Sequence, residues 1–115
     1  MFRTMAKSKI HGCTITKTML NYSGSLGIDE SLMEAADILE GERVQVVNLA
    51  NGERLETYVI TESKDSGTIC LYGPAAYKGK IGDKIHIISY AIVPEEKCRS
   101  FKIRKVAVDE KNRLH

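Results

Sequence analysis

The chain has no tryptophan, only two phenylalanines and five tyrosines, and a net charge of just +2 over 115 residues. So slight a positive excess gives no electrostatic hold on nucleic acid or an anionic membrane, and few rings are available to stack on bases. A small β-barrel nucleic-acid module is therefore the weakest functional reading. No apolar run approaches the length of a bilayer span, and Arg3, Lys7 and Lys9 interrupt any signal-peptide core. Cysteine is scarce as well. Cys13, Cys70 and Cys98 are odd in number and far apart, with no Cys-x-x-Cys or Cys/His spacing. That argues against a disulfide framework or a metal site, and for reduced, buried thiols in a cytoplasmic protein. The densest basic run, Lys102-Ile103-Arg104-Lys105, suits a solvated strand edge.

What is present is ordinary for one globular domain spanning residues 1–115: 43% hydrophobic and 28% charged residues, enough for a modest core. Phe2 to Thr16 alternates loosely, with β-branched residues at Thr14-Ile15-Thr16, and predicts one or two strands in which Lys9 and His11 share a face. The one clear helix covers about residues 30–39, capped by Asp29, with Leu32, Met33, Ala36 and Leu39 at helical spacing and Gly41 placed to end it. Val44 to Leu49 and Arg54 to Ile60 flank Asn51-Gly52, a strong hairpin signal. A two-residue turn there sets Leu49 opposite Arg54, Val47 opposite Glu56 and Gln45 opposite Tyr58. It also puts Arg54, Glu56 and Tyr58 on one face, and Leu55, Thr57 and Val59 on the other.

Thr68 to Tyr72 reads as a buried strand, and Gly73-Pro74-Ala75-Ala76 as a tight turn or one helical turn whose free N–H groups suit a carboxylate or oxyanion. Lys84 to Val93 alternates as a strand, Pro94 to Cys98 suggests a short helix, and Val106 to Val108 a last strand. The polar tail from Asp109 to His115 is expected to fray. Many short strands, one internal helix and no βαβ rhythm give a mainly-β barrel or sandwich.

Asn21-Tyr22-Ser23-Gly24-Ser25, leading into Leu26-Gly27-Ile28-Asp29, would alone be a turn. Its companions give it meaning: Arg3-Thr4-Met5, Lys7-Ser8-Lys9-Ile10-His11, Asn51-Gly52-Glu53-Arg54, Thr57-Tyr58, Gly73-Pro74-Ala75-Ala76 and Gly82-Asp83. In this order and spacing they resemble, from end to end, the bacterial pyruvoyl-dependent L-aspartate alpha-decarboxylases. The resemblance implies a six-stranded double-psi β-barrel and a homotetramer with pockets between neighbouring subunits. It implies conversion of L-aspartate to β-alanine and carbon dioxide, for pantothenate and coenzyme A synthesis. It also implies self-cleavage into residues 1–24 and 25–115, in some cases with a maturation helper protein.

The chemistry explains why such residues are needed. Loss of carbon dioxide from an amino acid's α-carbon leaves a carbanion that requires an electron sink, and no ordinary side chain offers an electrophilic carbonyl. No phosphate-cradling glycine loop joined to a Schiff-base lysine is evident, so pyridoxal phosphate fits less well than a carbonyl made from the backbone. In the implied maturation the Ser25 hydroxyl attacks the Gly24 carbonyl, the amide becomes an ester, elimination leaves dehydroalanine, and hydrolysis releases ammonia to give pyruvoyl. Glycine at 24 leaves that attack unobstructed. The family assigns Thr57 to polarising the Gly24 carbonyl and Tyr58 to returning a proton to the former α-carbon. Aspartate's two carboxylates call for at least two cationic or N–H-rich points. Arg54 offers a planar fork, Lys9 a point charge, and the Gly73-Pro74-Ala75 turn neutral donors from the N–H groups its glycine and alanine keep; Thr57 and, more weakly, His11 complete the implied substrate contacts.

Three positions depart from the family pattern. Tyr72 stands where asparagine is usual, Pro74 where alanine is usual and a backbone N–H is lost, and Gly12 where arginine is usual. Gly24, Ser25, Thr57 and Tyr58 are all present, so self-cleavage is expected, while substrate affinity and choice rest on the three altered positions. The competing reading is a non-catalytic or altered-substrate relative that keeps the barrel as a binding or regulatory protein.

Overall fold

The computed structural model describes all 115 residues. Alternating and β-branched segments supply eight strands: β1 (Phe2–Thr14), β2 (Lys17–Met19), β3 (Ser25–Asp29), β4 (Arg43–Asn48), β5 (Arg54–Glu62), β6 (Ile69–Tyr72), β7 (Lys84–Pro94) and β8 (Arg104–Ala107). Two helices, α1 (Glu30–Ala36) and α2 (Glu95–Cys98), and a 3₁₀ helix over Gly73–Lys78 complete the chain. The strands are joined in the order β2-β6-β3-β5-β4-β7-β1-β8. Eight strands thus stand where six were expected. The two ends of that order, β2 and β8, are short edges, each held by parallel pairing to a single longer neighbour. The mainly-β expectation is met, and no helix is long and apolar enough to cross a membrane.

β5 links the two halves of this sheet. Residues 54–58 pair antiparallel with β4, and residues 59–62 pair parallel with β3. One face of each half turns inward onto a core of 18 buried residues that includes Ile10, Leu26, Ile28, Val46, Val59, Leu71, Ile85 and Ile87. β1 bends around this core through two register shifts, between Ala6 and Ser8 and between Ile10 and Cys13. Gly12 takes φ +64 in the second, a left-handed turn that glycine adopts without strain. All three cysteines are buried and unpaired.

Three local expectations need correction. The β4–β5 register is shifted by two residues: Val47 faces Arg54, Gln45 faces Glu56 and Arg43 faces Tyr58. Residues 49–53 form a longer loop, because Asn48 and Asn51 each fold their side-chain oxygen back onto a backbone N–H two residues on, at 2.8 and 2.9 Å. A shift of two preserves the faces, so the assignment of sides survives. Helix α1 ends at Ala36 rather than near Leu39. Asp37 turns left-handed at φ 55, the Ile38 N–H closes back on the Met33 carbonyl, and Lys7 Nζ donates to the Asp37 carbonyl at 2.5 Å. Gly41 serves a later turn, its N–H bonded to the Val59 carbonyl at 2.7 Å.

The tail does not fray. Asn112 is 1% exposed; it accepts from the Thr14 N–H and donates to the Thr14 and Gly67 carbonyls, each at 2.8 Å. The Val108–Leu114 bridge closes the same turn. Polar composition here marks a buried hydrogen-bonding plug, which composition alone does not distinguish from a solvated end.

Candidate active site

Ser25 is the first residue of β3, with β6 on its antiparallel side, where it faces Tyr72. Its neighbours in β3, Leu26 and Ile28, face the core, so strand alternation sends the Ser25 side chain to the opposite face. It is nonetheless fully buried, and its Oγ is the one buried side-chain polar atom without a hydrogen-bond partner. A buried hydroxyl left unpaired costs about 1–3 kcal/mol, and such groups call for a functional reason.

Gly24 is clamped from the other side. Gly73 adopts φ +66, and a side chain there would meet the Tyr22 carbonyl at 2.5 Å and the Gly24 N and Cα at 2.8 and 2.9 Å. The 3₁₀ turn therefore packs its backbone closely against that of Tyr22 and Gly24. Pro74 follows, its Cδ 3.6 Å from where a Gly24 side chain would begin. A cavity of about 250 Å³ opens beside this point, lined by Gly24, Thr57, Pro74 and Ala75 with Leu55, Glu56 and Lys78. The far end of the turn is anchored by Asn48, whose amide donates to the Lys78 carbonyl and to Asp83, both at 3.0 Å. This gives the Gly82-Asp83 motif a structural role. The Asn48 amide and the Lys80 N–H hold the Asp83 carboxyl below the usual range.

The expected residues fall into two groups. Gly24, Thr57, Pro74 and Ala75 line the cavity, with Ser25 and Gly73 next to them in the chain. Lys9, His11, Arg54 and Tyr58 lie on the outward face of β5-β4-β7-β1. The cross-strand register Arg54–Val47–His86 and Gln45–Ile88–Lys9 runs along that face. Arg54 donates to Gln45 Oε1 at 2.8 Å, and Tyr90 Oη donates to the same oxygen at 2.9 Å. The His11 ring lies 4.2 Å from that of His86. Tyr58 is 44% exposed and borders a second cavity with Arg43, Glu56 and Thr57. Thr57 thus touches both cavities, while no single cavity of the chain contains both Gly24 and Tyr58.

Sequence reasoning missed His86, Gln45 and Glu62. His86 accepts the Gly12 N–H on Nδ1 at 3.0 Å, and burial, Lys9 and His11 lower its pKa. Its outward position in an alternating strand was legible, but nothing in the strand tied it to His11. Glu62 accepts a hydrogen bond from Tyr72 Oη at 2.6 Å, and this bond, followed by burial, raises the Tyr72 pKa far above the usual phenol value. The Tyr72 ring also tilts against Tyr22, centroids 4.6 Å apart. It pairs across the strands with Ser25 but does not line the cavity at Gly24.

Comparison with known proteins follows the same lines. The aspartate decarboxylase family profile matches residues 1–115. The aspartate 1-decarboxylase of Caldicellulosiruptor bescii is 54% identical over 114 residues, covering 99% of this chain and 89% of the relative. That of Acetivibrio thermocellus is 54% identical over 99% of this chain and 90% of its own length. The Bacillus cytotoxicus enzyme of the same name is 52% identical over 99% and 90%. With the family profile matching its whole length and relatives more than half identical across nearly all of it, the chain belongs to the aspartate decarboxylase family.

Proposed function

We propose that this chain is a self-processing carbon–carbon lyase that converts L-aspartate to β-alanine and carbon dioxide, using a pyruvoyl group made from Ser25. The observation that carries the reading is Ser25 Oγ, buried beside the Gly24 backbone and bonded to nothing. Such an atom fits a nucleophile spent in making the group, and it needs no added metal or cofactor to complete it.

In maturation, Ser25 Oγ bonds to the Gly24 carbonyl carbon, the C–N bond breaks, and the hydroxyl proton ends on the Ser25 nitrogen. Elimination across Cα–Cβ of residue 25 frees the Gly24 carboxylate, and water then displaces the nitrogen as ammonia. The products are residues 1–24 and residues 25–115. Thr57, in the same cavity as Gly24, supplies the hydroxyl that polarises the carbonyl under attack. The pyruvoyl carbonyl supplies the electron sink for decarboxylation. Arg54 and Lys9 bind carboxylates, the N–H groups of Gly73 and Ala75 add neutral donors, and His11 orients the substrate end near Lys9. Tyr58 delivers the proton to the former α-carbon.

Because none of Lys9, His11, Arg54 and Tyr58 lines the Gly24 cavity, a site that uses both groups draws on two copies of the chain. The outward sheet face of one subunit closes over the cavity of its neighbour in a homotetramer of cleaved protomers. On this reading the strands form the double-psi barrel of the family, in a cytoplasmic enzyme whose maturation is open to a helper protein.

The test is the intact mass of the purified protein under denaturing conditions, followed by carbon dioxide release from aspartate. Two species are expected, one ending at Gly24 and one beginning at position 25, the larger lighter by one ammonia than a serine-started chain of residues 25–115. Ser25→Ala is expected to give one uncleaved chain and no release. Decarboxylation that survives Ser25→Ala would sink the proposal, and a wild type that stays whole would favour the binding-protein alternative.

A further inference from the structure

His86 stands on the outward sheet face with Lys9, His11 and Arg54 and has no part in the function proposed above. It belongs to the cross-strand row Arg54–Val47–His86, and the second register shift of β1 sets both His11 and Gly12 against it. The imidazole is held on two sides. The Gly12 N–H donates to Nδ1 at 3.0 Å, and the His11 ring packs against it with centroids 4.2 Å apart. Gly12 offers that N–H from its left-handed turn at φ +64. A ring nitrogen that accepts carries no proton, so the one proton of the neutral imidazole sits on Nε2. Nε2 points away from Nδ1, and hence from the Gly12 backbone, and bonds to nothing in the chain.

This face also lacks a counter-ion. The carboxylates that form ion pairs are spent elsewhere: Glu95 on Arg3, Glu42 on Lys7, Glu56 on Arg43, Glu34 on Lys64 and Glu53 on Lys78. Lys9 pairs with none of them, and Arg54 donates to the neutral Gln45. Two cations, a second histidine and an unused N–H donor thus share one face with no carboxylate of the chain to answer them. We propose that His86 donates from Nε2 to a carboxylate oxygen of L-aspartate beside Lys9, a specificity-determining contact that Gly12 fixes by occupying Nδ1. A ring committed to donation suits an ionised carboxylate, which only accepts. Protonation of His86 would cost the Gly12 bond. Burial, followed by Lys9 and His11, also lowers the His86 pKa, so the donor stays neutral at pH 7. The inference rests on the decarboxylase function proposed above and gives its substrate a further recognition point.

The experiment compares wild type, His86→Phe and His86→Gln as full chains. Each is expected to self-cleave, read by intact mass, because His86 does not line the Gly24 cavity. Carbon dioxide release gives kcat and KM for L-aspartate. Calorimetry gives Kd for succinate, a dicarboxylate with no amine to react with the pyruvoyl carbonyl. A hydrogen bond to a charged group is worth about tenfold in affinity or more. His86→Phe keeps a ring against His11 and is expected to raise KM and the succinate Kd about tenfold, the loss falling on KM rather than kcat. His86→Gln offers an amide N–H and is expected to recover most of that loss. Imidazole NMR of the wild type should show His86 as the Nε2–H tautomer, its signal moving as succinate is added. Unchanged KM and Kd in His86→Phe would overturn the inference, as would a His86→Gln no better than His86→Phe, since the ring would then serve only as packing. An Nδ1–H tautomer or an imidazolium at pH 7 would overturn it too, and decides the matter if His86→Phe fails to fold. A wild type that never cleaves, or releases no carbon dioxide from aspartate, would instead overturn the function proposed above; the tautomer and the succinate Kd read His86 apart from it.

Discussion

Gly73→Ala probes how closely the cleavage site depends on one glycine outside the scissile pair. The new methyl would stand 2.5 Å from the Tyr22 carbonyl oxygen and 2.8–2.9 Å from Gly24 N and Cα, against 3.4 Å where ordinary contact begins. All three neighbours are backbone, so the chain at 22–24 has to shift by roughly 0.5–1 Å, since no side chain can swing aside. The left-handed φ of +66 adds about 1–2 kcal/mol for a residue with a Cβ, and overpacking about 1–3 kcal/mol, or roughly 2–5 kcal/mol together. Misplacement of reacting atoms by about 1 Å costs on the order of 10²-fold in rate. Gly82→Ala is the matched control: its φ is +97, but nothing lies within 4 Å of the added carbon. It should lose stability through backbone strain alone and cleave at the wild-type rate. Time-resolved intact mass reads cleavage, and thermal melting reads stability. Normal cleavage in Gly73→Ala, or equal slowing in Gly82→Ala, would refute the reasoning.

Three further outcomes are expected. Asn112→Ala removes three side-chain hydrogen bonds of 2.8 Å, at about 1 kcal/mol each, and should lower Tm by roughly 10 °C at fixed protomer concentration; an unchanged Tm would mean the tail is dispensable. Burial pushes the Asp29 carboxyl up, but the Ser31 hydroxyl and the N–H groups of Gly67, Ser31 and Asp65 together prevail and hold it below the usual range. A folded pKa below the unfolded one gives stability that is present above the unfolded value of about 4 and lost as pH falls through the folded one. Asp29→Asn should therefore melt below wild type at neutral pH, the gap closing in acid, and a gap independent of pH would contradict this assignment. Finally, Arg54→Ala should still self-cleave yet bind aspartate poorly. Co-expressed with Ser25→Ala it should regain part of the wild-type activity, because a shared site takes residue 25 from one copy and Arg54 from the other; no recovery would argue for sites within single chains.

The sequence determined a good deal here. Period-two alternation in β5 separated Arg54, Glu56 and Tyr58 from Leu55, Thr57 and Val59, and the observed burial follows that split because a strand has no other way to turn its side chains. Asp29 as the cap of α1, buried free thiols and a mainly-β architecture follow equally from local chemistry. Quantities set by the sum of distant contacts were not legible. Asn51-Gly52 suggested a two-residue turn, but Asn48 and Asn51 folded onto their own backbones and lengthened the loop. Asp37 took the left-handed place expected of Gly41, with Lys7 from a distant strand on its carbonyl. Asn112 looked like tail until Thr14 and Gly67 surrounded it. The same holds at the candidate site: the sequence proposed its residues, but only the folded chain put Gly24 and Thr57 on one cavity that Lys9, His11, Arg54 and Tyr58 do not line. Tertiary structure likewise brought Glu62 to Tyr72 over Gly27, across ten residues of chain, because that meeting depends on how β3, β5 and β6 are stacked side by side and on the space a missing Cβ leaves between them.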